Sequence, residues 1–186
     1  IISGGSKNEF DISLRSGYDI SSEIFLNNTF KFFNVIILPN KKLVYSDNYN
    51  TVFIDSNKID TIKVNPKLDE IFQIGNGKIN NIKIDCAILT THGINGEDGK
   101  LQGFLDMNKI PYIGCDVLGS AICMDKEVSK ILVKSVGINV LPWLTFHKND
   151  DINIDNILNN FGKKLVVKTT NSGSSNGVFL ANKDNL

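Results

Sequence analysis

The chain has 186 residues, 41% of them hydrophobic and 22% charged, with 20 Lys plus Arg balanced by 20 Asp plus Glu. That apolar content supports one large or two small folded domains, and scattered basic residues without net positive charge lack the electrostatic footprint of a nucleic-acid binder. Cys86, Cys115 and Cys123 form no CxxC pair, which disfavours a disulfide framework and a zinc site and fits reduced thiols in the cytoplasm; no apolar run nears the roughly 18–20 residues that cross a bilayer, and no signal-peptide pattern opens the sequence.

Ile1-Ile2-Ser3-Gly4-Gly5 reads as the last part of a buried strand entering a glycine turn, so the chain is expected to begin within an element. Leu14, Tyr18 and Phe25, with Ile24 adjoining, predict an amphipathic helix from Ser13 onward, the opening of a βα unit. Residues 32–38 predict a second strand, Asn40-Lys41-Lys42 a turn, and Leu43-Val44-Tyr45 its continuation. Residues 49–81 are polar and weakly periodic, a loop-and-strand insertion. Residues 84–89 form an apolar run broken only by Asp85, which predicts a strand buried on both faces of a parallel sheet.

That strand leads into His92-Gly93-Ile94-Asn95-Gly96-Glu97-Asp98-Gly99, followed by Gln102-Gly103. Glycines at this density let the backbone take left-handed or close-approach conformations, and loops at the carboxyl ends of strands are where open α/β sheets bind ligands. A functional loop is the favoured reading, a tight strand-to-helix turn the alternative. Glu97 and Asp98 read as helix-start and loop-fixing acids. Leu101, Phe104 and Leu105 predict one face of a helix ending near Asn108, and residues 110–114 a short strand and turn.

Residues 116–123 predict a short helix; Asp125 is placed to cap another, with Val128, Ile131, Leu132 and Val136 on one side and Gly137 as its stop. Residues 142–146 look strand-like, 152–161 helical and 164–168 a strand, while His147 beside Lys148 and Asp150 reads as surface. Residues 169–177, T-T-N-S-G-S-S-N-G, carry no large side chain and precede another strand at 178–181. Successive N–H groups in such a turn form an anion-binding nest, with Lys168 supplying charge. No Gly-Lys-Ser/Thr triplet makes it a Walker A loop, and a flexible Gly/Ser hairpin is the alternative.

Four segments resemble, in order, those of the D-alanine–D-alanine ligase family of the ATP-grasp superfamily. Gly4-Gly5-Ser6-Lys7-Asn8-Glu9, with Ser13-Leu14-Arg15-Ser16 behind it, is similar to that family's first glycine turn. Residues 92–103 match its HGxxGEDGxxQG loop, Ser120-Ala121-Ile122-Cys123-Met124-Asp125-Lys126 resembles its SAxxMDK segment, and Lys168 with Gly173-Ser174-Ser175-Asn176-Gly177 its K…GSSxG loop. Thr169 and Thr170 depart from the usual Pro-Ala, and Ser172 replaces an acid often found there. Cys115-Asp116 and Cys123 lean towards the variants whose product ends in D-lactate or D-serine.

The resemblance implies an α/β fold: a Rossmann-like parallel-sheet domain over residues 1–116 that binds substrate, then the first part of an ATP-grasp domain over 117–186. It implies ATP-dependent ligation in peptidoglycan precursor synthesis, through phosphorylation of one D-alanine and attack by the amine of a second. Carried over, Glu9 would hold the first D-alanine's ammonium, His92 would sit at the edge of the substrate pocket, and Ser174 would cover the phosphates and reach towards Glu9. Lys126, Lys168, Gly173, Ser174 and Ser175 would bind ATP. Magnesium ligands are expected in a lobe following Leu186, so these residues alone are expected not to ligate and to leave apolar surface uncovered near Val166 and Phe179. The implied partners are D-alanine and ATP, with neither nucleic acid nor membrane; a homodimer is compatible. Another carboxylate–amine ligase and a non-catalytic remnant are the alternatives.

Overall fold

The computed structural model describes residues 1–27, 30–46, 52–54, 62–64, 69–71 and 73–182. Ile2–Gly4 (β1) runs into the helix Phe10–Asn27 (α1), which returns the chain to Asn34–Ile37 (β2), parallel to β1 with Ile2 opposite Val35. A turn through Lys41, at φ 68°, folds β2 back onto antiparallel Leu43–Ser46 (β3). Within the predicted insertion, Val52–Ile54 (β4) pairs with Ile62–Val64 (β5), and Asp69–Glu70 (β6) extends the sheet beyond β3; the remainder of its first part lies outside the described residues. Ile74–Gly75 (β7), Lys78–Ile79 (β8) and Ile82–Lys83 (β9) form an antiparallel meander.

Ala87–Ile88 (β10) is followed by the site loop, the helix Lys100–Met107 (α2) and Tyr112–Ile113 (β11), which pairs parallel to β10. A parallel bridge between Leu89 and Ile2, with Thr90 N donating to Ile2 O at 2.9 Å, sets this pair beside β1. Because β1 and β10 run in the same direction, their carboxyl ends deliver the glycine turn at 4–9 and the loop at 92–99 to one edge of the sheet.

Alternation along β2 divides the core between the sheet's two faces. Val35 packs with Ile2, Ile79, Ala87, Leu101, Leu105 and Ile110, whereas Ile36 packs with Leu14 of α1 and Val44. Leu14, Ile36, Leu105 and Ile110 are fully buried, and each such side chain contributes about 2–3 kcal/mol of hydrophobic transfer. The architecture is the α/β one that the βα rhythm predicts, with a mixed sheet: parallel at β1–β2 and β10–β11, antiparallel where β3 and β6 extend it.

Three local expectations change between Ile1 and Met107. The helix begins at Phe10, before Ser13, so Glu9 O accepts Ser13 N–H at 3.0 Å and Glu9 stands at the helix entrance. The strand over 84–89 is confined to β10 and the Leu89 bridge, with Asp85 and Cys86 exposed ahead of it. On α2 the buried face is Leu101, Gln102 and Leu105; Phe104 turns outward because Gln102 Nε2 bonds Gly96 O at 3.1 Å and draws that face under the loop.

Backbone contacts divide the chain into two compact units, Ile1–Ala121 and Ile122–Leu186. Val117–Met124 (α3) crosses the division, and Asp116 Oδ1 receives Gly119 N–H at its start. The second unit holds Lys126–Ser135 (α4), Ile154–Phe161 (α5) and the antiparallel hairpin of Leu165–Lys168 (β12) with Val178–Ala181 (β13). Residues 142–146 form no strand; Trp143 instead lies under the ammonium groups of Lys130 and Lys134, 5.3 and 5.6 Å from its ring centre. Val166 and Phe179 are exposed, as is His147.

Candidate active site

In the first unit the site is assembled around Glu9. Its side chain is buried, Ser6 Oγ donates to Oε2 at 3.2 Å, and Oε1 has no hydrogen-bond partner among the described residues. Gly93, from the loop after β10, packs directly on this carboxylate: a Cβ there would overlap it, and its φ of 64° disfavours any side chain. The sequence therefore needs glycine at 93 for close approach as well as for the turn.

Around Gly93 the loop is fixed by its own acids. Glu97 Oε2 accepts Gly93 N–H at 2.6 Å, and Oε1 faces His92 Nδ1 at 3.9 Å. Asp98 accepts Asn95 N–H at 3.0 Å, Lys100 N–H at 3.3 Å and Lys100 Nζ at 2.6 Å. Burial pushes the Asp98 carboxyl up, but these donors outweigh it and hold it below its ordinary value. Both acids are thus the loop-fixing residues the sequence suggests.

Three further polar atoms are buried without a partner among the described residues, Thr91 Oγ1, His92 Nε2 and, on α2, Gln102 Oε1. Buried groups are ordinarily paired, and one left open costs about 1–3 kcal/mol. Glu9 Oε1, Thr91 Oγ1 and His92 Nε2 all lie on the glycine turn and the loop at one sheet edge. A carboxylate acceptor of this kind is chemically suited to an ammonium group, whose N–H donors it would pair.

In the second unit Asp125 and Lys126 are tied to the Gly/Ser loop. Asp125 Oδ1 caps α4 by accepting Glu127 N–H and Val128 N–H, each at 3.0 Å, and with the Asn171 amide turned so that its NH2 group faces Asp125, Oδ2 accepts from it at 2.9 Å. Lys126 N donates to Thr170 O at 3.1 Å, and Nζ donates to Thr170 O at 3.3 Å and Ser172 O at 2.5 Å. The ammonium expected to meet phosphate also holds this loop in place, with one of its three N–H donors left over.

The loop is strained. Asn176 N donates to Gly173 O across Ser174 and Ser175, both left-handed at φ 50° and 59°, the pattern of a type I′ turn that Asn and Gly normally supply. Serines held there cost of order 1–3 kcal/mol each, and such strain concentrates at ligand clamps. Thr169 Oγ1 bonds Ser172 Oγ, and Ser172 Oγ donates to Asn176 O at 2.6 Å, closing the loop's base. Lys168 is exposed at the end of β12, beside the loop.

The structure therefore brings Glu9 and His92 to one sheet edge in the first unit, and Lys126, Lys168, Gly173, Ser174 and Ser175 to one loop in the second. Sequence reasoning gave no role to Thr91 or Asn171. A buried threonine before a histidine–glycine pair carries no periodic signal, and the Asn171–Asp125 pairing spans residues far apart in the chain. Among the described residues no group of three or more His, Cys, Asp or Glu converges to hold a metal ion, and no helix is long and apolar enough to cross a membrane.

The first unit is thus an α/β unit with a buried, open carboxylate at the carboxyl edge of its parallel strands, and the second carries a small-residue loop beside lysines. The family described as D-ala D-ala ligase N-terminus matches residues 1–115, and the chain belongs to that family. It is 37% identical over 195 residues to the D-alanine–D-alanine ligase of Blochmanniella floridana, covering 99% of this chain and 53% of that protein. It is 35% identical over 185 residues to the ligase of Clostridium botulinum strain Eklund 17B, covering 99% and 49%.

Among solved structures, the D-alanine–D-alanine ligase of Helicobacter pylori superposes with a TM-score of 0.75 at 25% identity, over 98% of this chain and 57% of that one. The VanG D-Ala:D-Ser ligase of Enterococcus faecalis gives 0.76 at 28% identity, over 98% and 54%. The chain spans about half the length of the relatives it matches. These matches fit the α/β fold with its ATP-grasp relationship.

Proposed function

We propose that this chain provides the amino-acid subsite and the first phosphate-holding loop of an ATP-dependent D-alanine–D-alanine ligase. The observation that carries the reading is Glu9, buried against Gly93 with one oxygen open, in a chain whose relatives bear that name. In the reaction, a carboxylate oxygen of one D-alanine attacks the γ-phosphorus of ATP and ADP leaves. The amine of a second D-alanine then attacks the acyl carbon, and phosphate departs with the oxygen that joined it.

Catalysis of this kind is positioning and charge stabilisation, with no enzyme nucleophile. Glu9 pairs the first D-alanine's ammonium, which fixes its carboxylate towards the phosphoryl donor. His92, with Nδ1 facing Glu97 and Nε2 open, offers a hydrogen bond at the pocket's edge. Lys168, the remaining donor of Lys126 and the amides of Gly173, Ser174 and Ser175 hold phosphate oxygens. The carboxylates of this chain form no divalent-cation site among the described residues. Residues 1–116 serve as the substrate-binding domain and 117–186 as the start of the ATP-grasp domain, in a cytoplasmic enzyme of peptidoglycan synthesis.

The test is ADP formation by the protein at its native length, with D-alanine alone and with D-alanine plus D-lactate, D-serine or other amines. D-alanine-dependent ADP release supports the reading, and the additions identify the acceptor. ADP formation indifferent to D-alanine, or none at all, defeats it.

A further inference from the structure

Ser13 lies one turn into α1 from Glu9 and is fully buried. Its Oγ accepts Gly4 N–H at 2.7 Å and donates to Thr90 O at 2.8 Å. Thr90 Oγ1 in turn lies 3.2 Å from Ser13 O and 3.2 Å from Ile2 O, either of which it can donate to. The two residues thus grip each other's backbone across 77 positions of sequence, at the point where β1, α1 and the strand leading to His92 meet. Gly17 seals the junction, since a Cβ there would press on Ser3 Oγ and Thr90 Oγ1.

We infer that the Ser13–Thr90 pair is a positioning latch for the amino-acid subsite, an inference that rests on the proposed function. Ser13 N–H bonds Glu9 O, so the latch reaches Glu9 through one backbone hydrogen bond; on the other side Thr90 is two residues from His92 and three from Gly93. Glu9 and Gly93 are in van der Waals contact, and a shift of α1 against the loop of a few tenths of an ångström moves the carboxylate relative to the bound ammonium. Placement errors on that scale are what positioned binding groups are sensitive to. Neither hydroxyl touches substrate in this account; both act through the groups they hold.

The experiment compares Ser13→Ala, Thr90→Val and Thr90→Ser in the native-length protein, reading KM for D-alanine, KM for ATP and thermal midpoint. Ser13→Ala and Thr90→Val are expected to raise the KM for D-alanine about tenfold, with the KM for ATP unchanged within about twofold. Thr90→Ser, which keeps the hydroxyl, is expected to return the D-alanine KM to within about twofold of the parent. If Ser13→Ala does not fold, Thr90→Val, nearly the same shape as threonine, carries the comparison with Thr90→Ser. A lower thermal midpoint with an unmoved D-alanine KM in Thr90→Val overturns the latch while leaving the functional reading standing. A parent protein without D-alanine dependence overturns both.

Discussion

Glu9 and Gly93 must be read as a pair. The glycine's missing side chain makes room for the carboxylate, and the carboxylate's open oxygen gives that room a use. Glu9→Gln removes the charge but keeps the shape; losing one charged hydrogen bond of about 2 kcal/mol raises the KM for D-alanine about thirtyfold. Steady-state kinetics checks this, and a change below about threefold would remove Glu9 from the ammonium subsite. Gly93→Ala places a methyl group on the carboxylate and forces alanine into a left-handed conformation, which by itself costs about 1–2 kcal/mol. It should lower the thermal midpoint and abolish D-alanine binding together; normal binding would show that Glu9 does not need this contact.

Among the elements, the two site loops store their organisation differently. The 93–99 loop is held by charge, and that makes it sensitive to acid. The Asp98 carboxyl, depressed by Lys100 and two backbone donors, contributes stability that is fully present above the ordinary carboxylate range and is lost as pH falls through its lower folded-state value. Amide exchange at Asn95 and Lys100, corrected for intrinsic rates, should show full protection at neutral pH and falling protection in acid; Asp98→Asn should lack that protection already at neutral pH. The 173–176 turn is held against strain instead. Ser175→Gly relieves about 1–2 kcal/mol of left-handed cost against about 0.5–1 kcal/mol of added chain entropy and keeps the backbone amide, so thermal stability should stay equal or rise. A drop in stability would show that the turn is not strained.

Across the whole molecule, what the sequence made legible follows from which signals are local. Helical spacing of Leu14 and Tyr18, the Asp125 cap and the glycine-rich loop each mark themselves within a few residues, and each element is found there, the first helix starting three residues earlier than expected. Gly93 is legible as a turn glycine but not as the neighbour of the Glu9 carboxylate, because that contact joins positions 84 residues apart. For the same reason the clamp of Lys126 on Thr170 and Ser172 carries no trace in either segment. Residues 142–146 look strand-like but form no strand, because Trp143 takes its partners from lysines one helical turn apart on α4, a pairing that local sequence does not show. Under the proposed function the first unit supplies an acceptor for ammonium and the second supplies donors for phosphate. The most direct test supplies the native-length protein with ATP and D-alanine labelled with oxygen-18 in its carboxylate, and reads the mass of the inorganic phosphate released. The account predicts one oxygen-18 per phosphate, carried over from the phosphorylated carboxylate; unlabelled phosphate would contradict it.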